Sequence, residues 1–256
     1  MTTPVQDRSP EATRRLARLA GAVYVAVGVA SAFGFYHAPV VQSDPAAIAR
    51  GLLASDLRFR VGVVTDLLST ALAVPLALLL YQLFRPVQKA QAAWMAVLLL
   101  VAVPISFVVA LHYVAAQWLL SGAPVVAALA GPERQALGML FLRLHTHGVL
   151  AVEIFWGLWL LPFGLLVRRS GFLPRVLGVL LIVAGAAYVA HSLVTLLLGG
   201  QRFLPFERLT MLARAAGELP VMLWLLVVGA RARGDLGGHM NRRCEGPVFL
   251  AAAGRS

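Results

Sequence analysis

Cysteine is almost missing from this chain, with Cys244 the only one in 256 residues. That excludes an internal disulfide framework and any metal site built from several thiolates, and Cys244 stands in a polar tail where an inert thiol is expected. Charge is scarce as well. Charged residues make up 13% of the sequence against 60% hydrophobic ones, and the mean hydropathy is +0.81. Too few polar side chains exist to coat a water-soluble globule. A glycine-rich phosphate loop, a Ser-His-Asp order, an HExxH pair and a CxxC pair are all lacking, so the common soluble chemistries find no support. Of the charges that remain, 22 are Lys or Arg and 11 are Asp or Glu, a net +11. In a soluble protein that excess would point to nucleic acid. In a membrane protein it belongs to cytoplasmic loops and tails facing anionic lipid, so membrane lipids are the expected partner and nucleic acid is not.

What the chain has instead is long apolar runs. Six of them, near Leu16 to Tyr36, Val61 to Phe84, Ala92 to Leu120, Leu140 to Val167, Val176 to Leu198 and Leu209 to Ala230, reach or exceed the roughly 20 helical residues that cross hydrocarbon. The connections "FRPVQKAQ" and "RRSGFLPR" are short and basic, which makes the second and third helices, and the fourth and fifth, antiparallel neighbours. The longer connection "HAPVVQSDPAAIARGLLASDLRFR" contains Ser43-Asp44-Pro45, the start of a capped short helix lying at the surface. The expected architecture is therefore all-α: an integral membrane bundle of six transmembrane helices with a short surface helix between the first two. It comprises a polar N-terminal segment (1–13), the six-helix transmembrane domain (14–232) and a disordered tail (233–256) rich in Gly, Arg and Asn.

Basic residues orient the bundle. Arg8, Arg14, Arg15 and Arg18, Arg85 and Lys89, Arg168, Arg169 and Arg175, and Arg231, Arg233, Arg242, Arg243 and Arg255 all fall on one side of the expected topology, fourteen of the 22. Both termini are then cytoplasmic in the inner (plasma) membrane of a cell. A cleaved signal peptide ending at Ala30-Ser31-Ala32 competes with this reading. Against it, the apolar run continues through Phe33 to Tyr36 and the polar start is long.

The segment "LRLHTHGVLAVEIFWGLWLLPFG" begins at Leu142 and carries Arg143, His145, His147 and Glu153 in its first half. Counting about 20 residues back from Arg168 reaches Gly148, which leaves Arg143, His145 and His147 in the outer interface. The same ruler puts His37, Asp66 and His112 at that boundary, and His191, Glu153 and Glu218 one or two turns inside it. Polar groups from six helices thus converge on one layer in the outer third, either a water-accessible cup or an ordinary wet interface. Arg214 and Glu218, four residues apart, can neutralise each other. Glu153 has no such help, because Val149, Leu150, Trp156 and Gly157 surround it on its own helix. Its partner must come from another helix or from water, and Arg214 and His191 are the expected protein partners. Tyr188, His191 and Thr195 share one stripe of the fifth helix, with Ser192 beside it.

Certain stretches also carry a family likeness. "FRVGVVTDLLSTALAVPLALLLYQLFRPV", "LRLHTHG" and "RRSGFLPRVLGVLLIVAGAAYVAHS" resemble the bacterial multi-pass membrane proteins of domain-of-unknown-function family 4386, over roughly Arg15 to Leu198. "SGFLPRVLG" is the most specific piece. The resemblance singles out Arg60, Asp66, His145, Gly171, Pro174, Arg175 and Gly178, and implies a multi-pass fold without an established activity. Glu153 is not among those positions.

Four readings of function stand side by side. An outward-facing pocket binds or handles a small amphiphile or lipid, with Arg60, Trp156, Tyr188 and Arg214 contacting it. An intramembrane enzyme acts on a lipid or isoprenoid, with Asp66, Glu153 or Glu218 as acid or base, His145 or His191 as partner, and Trp156 and Trp159 facing a cationic intermediate. A metal or haem site would need His112 or His191 from other helices, because His145 and His147 point about 200° apart on theirs; no metal or cofactor is assigned. Last, the polar layer is only glue between helices.

Overall fold

The computed structural model describes residues 9–37, 56–198 and 204–230; the surface helix expected after Ser43 and the tail from residue 233 lie outside them. Among the described residues the chain forms six α-helices, one 3₁₀ turn (Pro124–Val126) and no strand. The helices are α1 (Pro10–His37), α2 (Asp56–Phe84), α3 (Lys89–Ser121), α4 (Gly131–Ser170), α5 (Arg175–Leu197) and α6 (Leu204–Val227). All six are long and apolar enough to cross a membrane. Each begins before its apolar run, because residues ahead of the run continue the first turn. At α1, for example, Ser9 Oγ accepts the Ala12 N–H at 3.2 Å, Pro10 occupies the first turn and Glu11 faces the helix dipole. At 40 residues, α4 is about 60 Å long and outruns any bilayer core.

Each helix packs on its neighbours in the chain, and α6 returns to α1, so the bundle is a closed up-and-down ring. Two contacts tie the basic end together. Arg14 Nε and Arg18 Nη2 donate to the carbonyls of Val228 and Val227 at 3.3 and 2.9 Å, satisfying the open carbonyls at the end of α6. Arg169 Nη1 donates to Gln88 Oε1 at 2.5 Å and Gln91 Oε1 at 3.1 Å, joining the α4–α5 turn to the α2–α3 turn.

The α4–α5 connection accounts for the "SGFLPRVLG" stretch residue by residue. Gly171 ends α4 in the left-handed region at φ +71°, where any side chain would be strained. Phe172 packs on the Phe84 ring at 5.4 Å, Leu173 is buried, and Pro174 stands in extended conformation just before α5. Gly178 then lies against Gly164, and the same contact recurs seven residues on. A Cβ on Gly164 would meet the Gly178 carbonyl oxygen at 2.5 Å, and one on Gly157 would meet that of Gly185 at 2.5 Å. A further seven residues up, Ser192 Oγ donates to the Leu150 carbonyl at 2.6 Å. Residues 150, 157 and 164 therefore face 192, 185 and 178 across an antiparallel seam with a seven-residue repeat, and the two backbones nearly touch.

The interior is divided by depth. Toward the basic end, Leu76, Leu80, Phe84, Met95, Leu160, Phe163, Leu166, Leu181 and Leu225 form one dry core. A smaller cluster, Phe59, Ala116, Leu120, Met139 and Leu142, closes the opposite end between α2, α3 and α4.

Candidate functional site

Between those two apolar regions lies a polar network, and the α4–α5 seam positions it. Gly157 sits one turn from Glu153, and Gly185 lies one and two turns from Tyr188 and His191, so their contact brings these side chains into reach of one another. Glu153, whose side chain is only 5% exposed, binds two helices at once. Its Oε1 accepts from Arg214 Nη1 of α6 at 2.8 Å and its Oε2 meets His191 Nδ1 of α5 at 2.7 Å. Charge-assisted bonds of this length are the strong kind. The Arg214 guanidinium lies over the Tyr188 ring, 4.8 Å from its centroid, and Trp156 meets the same ring edge-on at 6.4 Å. Tyr188 Oη donates to Glu218 Oε1 at 2.8 Å, and Tyr24 Oη of α1 donates to Glu218 Oε2 at 2.6 Å. Four helices are thus linked through one chain of contacts: His191, Glu153, Arg214, Tyr188, Glu218, Tyr24.

Two expectations change here. Arg214 and Glu218 do not settle their charges on each other, because Arg214 reaches across to Glu153 while Glu218 takes two phenol hydroxyls. Nor is the arrangement a flat layer. Glu218 lies nine residues before Val227, the end of α6 that Arg18 holds, about 14 Å above that end. Glu153 lies fifteen residues before Arg168 at the same end of α4, about 22 Å up. The network descends from the half of the bundle remote from the basic end toward its middle.

The remaining candidates lie elsewhere. His145 is buried (6% exposed) on the α3 side of α4, stacked on Tyr113 with ring centroids 3.4 Å apart and 20° between planes. Asp66 on α2 is within electrostatic reach of Tyr113, as His112 is of His145. His145 and Asp66 therefore belong to a second cluster between α2, α3 and α4. Arg60 is exposed near the start of α2. Trp159 is buried and packs on Tyr24 at 5.8 Å and Phe163 at 5.4 Å, as part of the dry core. His147 Nδ1 contacts the Arg143 carbonyl of its own helix at 2.9 Å. Among the described residues no group of three His, Cys, Asp or Glu side chains is placed to hold a metal ion.

Tyr24 and Tyr113 were hidden in the sequence by the apolar runs around them. The signal for Tyr24 was faint: it is the one tyrosine in the first run that falls well inside the membrane.

No curated protein and no solved structure matches the chain. One family model does, described as a domain of unknown function (DUF4386), and it spans residues 19–229, from the first turns of α1 to the end of α6. That range takes in all six helices and both polar clusters, so this multi-pass membrane protein belongs to the DUF4386 family.

Proposed function

We propose that the protein binds an amphiphile with an acidic headgroup at the outer edge of the Glu153 network, with Arg214 as the anchor and the chain of the ligand running along the apolar bundle. The observation that carries this reading is the bridging carboxylate. A carboxylate at this depth costs up to roughly 2.5–3.5 kcal/mol on insertion scales, and burying an ion pair is a poor way to gain stability when apolar side chains would pack as well. Glu153 is enclosed, whereas its partners Arg214 and His191 keep 17% and 14% of their side chains exposed. A guanidinium has five N–H donors, more than the bond to Glu153 consumes, so an incoming carboxylate or phosphate can share Arg214 with Glu153. Fourteen basic residues on one face of the topology favour cytoplasmic termini in the plasma membrane, which turns the upper part of the network toward the outer leaflet.

The test is lipid analysis of protein extracted in mild detergent. The wild-type chain should carry an acidic lipid about tenfold above bulk membrane composition, Arg214→Gln should lose that enrichment, and Arg214→Lys should keep part of it. Equal enrichment in all three contradicts the proposal.

A second reading has one observation in its favour. The 2.7 Å contact from Glu153 Oε2 to His191 Nδ1 fixes the imidazole so that Nε2 can exchange a proton, the arrangement an intramembrane acid-base enzyme on a lipid or isoprenoid requires. Under it, His191→Gln abolishes turnover of the bound lipid while leaving its binding intact.

A further inference from the structure

His145 raises a question that the Glu153 network does not answer. It is more than nine-tenths buried, yet its Nε2 has no hydrogen-bond partner among the described residues. Buried polar nitrogens are nearly always bonded, and a bare one inside an apolar bundle is costly. The surroundings are built rather than loose. One face of the ring is covered by Tyr113, which is itself held edge-on by Phe59 at 5.5 Å. His112 leans on Phe141 at 6.0 Å and is tied to the Val109 carbonyl at 3.2 Å. On either side of His145, glycines draw α3 and α4 together: a Cβ on Gly138 would lie 2.7 Å from Leu120 Cγ, and one on Gly148 would lie 2.6 Å from Val109 Cγ2. The polar groups beside His145 are Tyr113 and His112 of α3, and Asp66 of α2 lies within electrostatic reach of Tyr113. Along α4 the ring is eight residues from Glu153, about 12 Å further from the basic end, which sets it at the boundary between hydrocarbon and headgroups.

We propose that this three-helix cluster is a second binding site, distinct from the Glu153 network, that takes the hydroxyl group of a neutral lipid-phase amphiphile. The ligand's oxygen bonds His145 Nε2 and its chain lies along the apolar faces of α2 and α3. A hydroxyl suits either imidazole tautomer, because it can donate to a bare nitrogen or accept from an N–H. The aromatic lining of Phe59, Tyr113 and Phe141 favours an uncharged group over an acidic headgroup. Depth selects an amphiphile over a wholly apolar molecule, since the polar atom belongs at the interface and the tail below it.

The full chain in phosphatidylcholine nanodiscs can be labelled with hexadecanol bearing a diazirine on its chain. Labelling is expected in α3 and α4 between residues 109 and 148, with displacement by excess hexadecanol and not by hexadecanoate. His145→Phe retains the ring stacked on Tyr113 and removes the nitrogen, and should reduce labelling about tenfold; Glu153→Gln should leave it unchanged. Undiminished labelling of His145→Phe, equal competition by hexadecanoate, or labelling no higher than that of a protein-free lipid control overturns the proposal. An independent reading comes from ¹⁵N-histidine NMR of the wild-type chain, in which the His145 Nε2 resonance, assigned through its bonds to the His145 backbone, should move when hexadecanol is added. A resonance that stays where a water-bonded nitrogen falls overturns the proposal even if the phenylalanine variant fails to fold.

Discussion

Glu153 has only Val149, Leu150, Trp156 and Gly157 within a turn on its own helix, and that is why the need for a partner from another helix was legible in the sequence. Which partner it would find was not fully legible. Arg214 has Glu218 one turn away on α6, and spacing alone favours that local pair. The outcome depends on where α1 sits, since Tyr24 and Tyr188 together satisfy Glu218 and release Arg214 to cross the bundle. The two ends of the pair are not equivalent. Arg214→Ala leaves a carboxylate in the interior with only His191 beside it, whereas Glu153→Gln leaves a neutral amide that still accepts from Arg214. In thermal or SDS unfolding of detergent-solubilised protein, Arg214→Ala should lose about 3 kcal/mol and Glu153→Gln about 1 kcal/mol. Equal losses would mean that the carboxylate does not depend on the guanidinium.

The α4–α5 pair shows the same division between what a sequence carries and what only packing reveals. Gly157 and Gly164 are seven apart, as are Gly178 and Gly185, and those spacings are visible in the chain. Glycine is common in apolar runs, however, and only the antiparallel docking shows that the two series face each other and continue into the Ser192 to Leu150 bond. Because the seam lies one turn from Glu153 and Tyr188, it acts on the network as well as on stability. Gly157→Val would force its side chain into the Gly185 carbonyl and separate the helices. The expected result is a loss of about 1–3 kcal/mol together with weaker coupling between Glu153 and His191 in a double-mutant cycle. Ser192→Ala, which removes one hydrogen bond and adds no bulk, should cost under about 1 kcal/mol with the coupling preserved. A Gly157→Val protein with wild-type stability would remove the seam from the account.

At the scale of the molecule, composition and run length made the six-helix architecture legible, because few chains with 60% hydrophobic residues and 13% charge have another way to fold. Helix ends were read short by up to nine residues at the start of α4, where Gly131 to Met139 extend the helix beyond the apolar run that was counted. Depth was read too evenly. A ruler laid along each helix separately put His145, Glu153, His191, Glu218 and Asp66 in one layer, whereas the contacts place Glu218 deeper beside Tyr24 and divide the rest between two sides of α4. Ring closure is what separates them: α4 presents Glu153 toward α5 and α6 and His145 toward α3, about 80° apart around its axis. The central claim is that a carboxylate inside this membrane bundle joins α4 to α6 and α5. Solid-state NMR on protein in bilayers, labelled with ¹³C at glutamate Cδ and ¹⁵N at arginine Nη, measures it directly. A ¹³C–¹⁵N dipolar contact of about 3.5 Å that disappears in Glu153→Gln is the expected result, and a wild-type spectrum in which the Glu153 carboxyl shows no arginine contact would contradict the account.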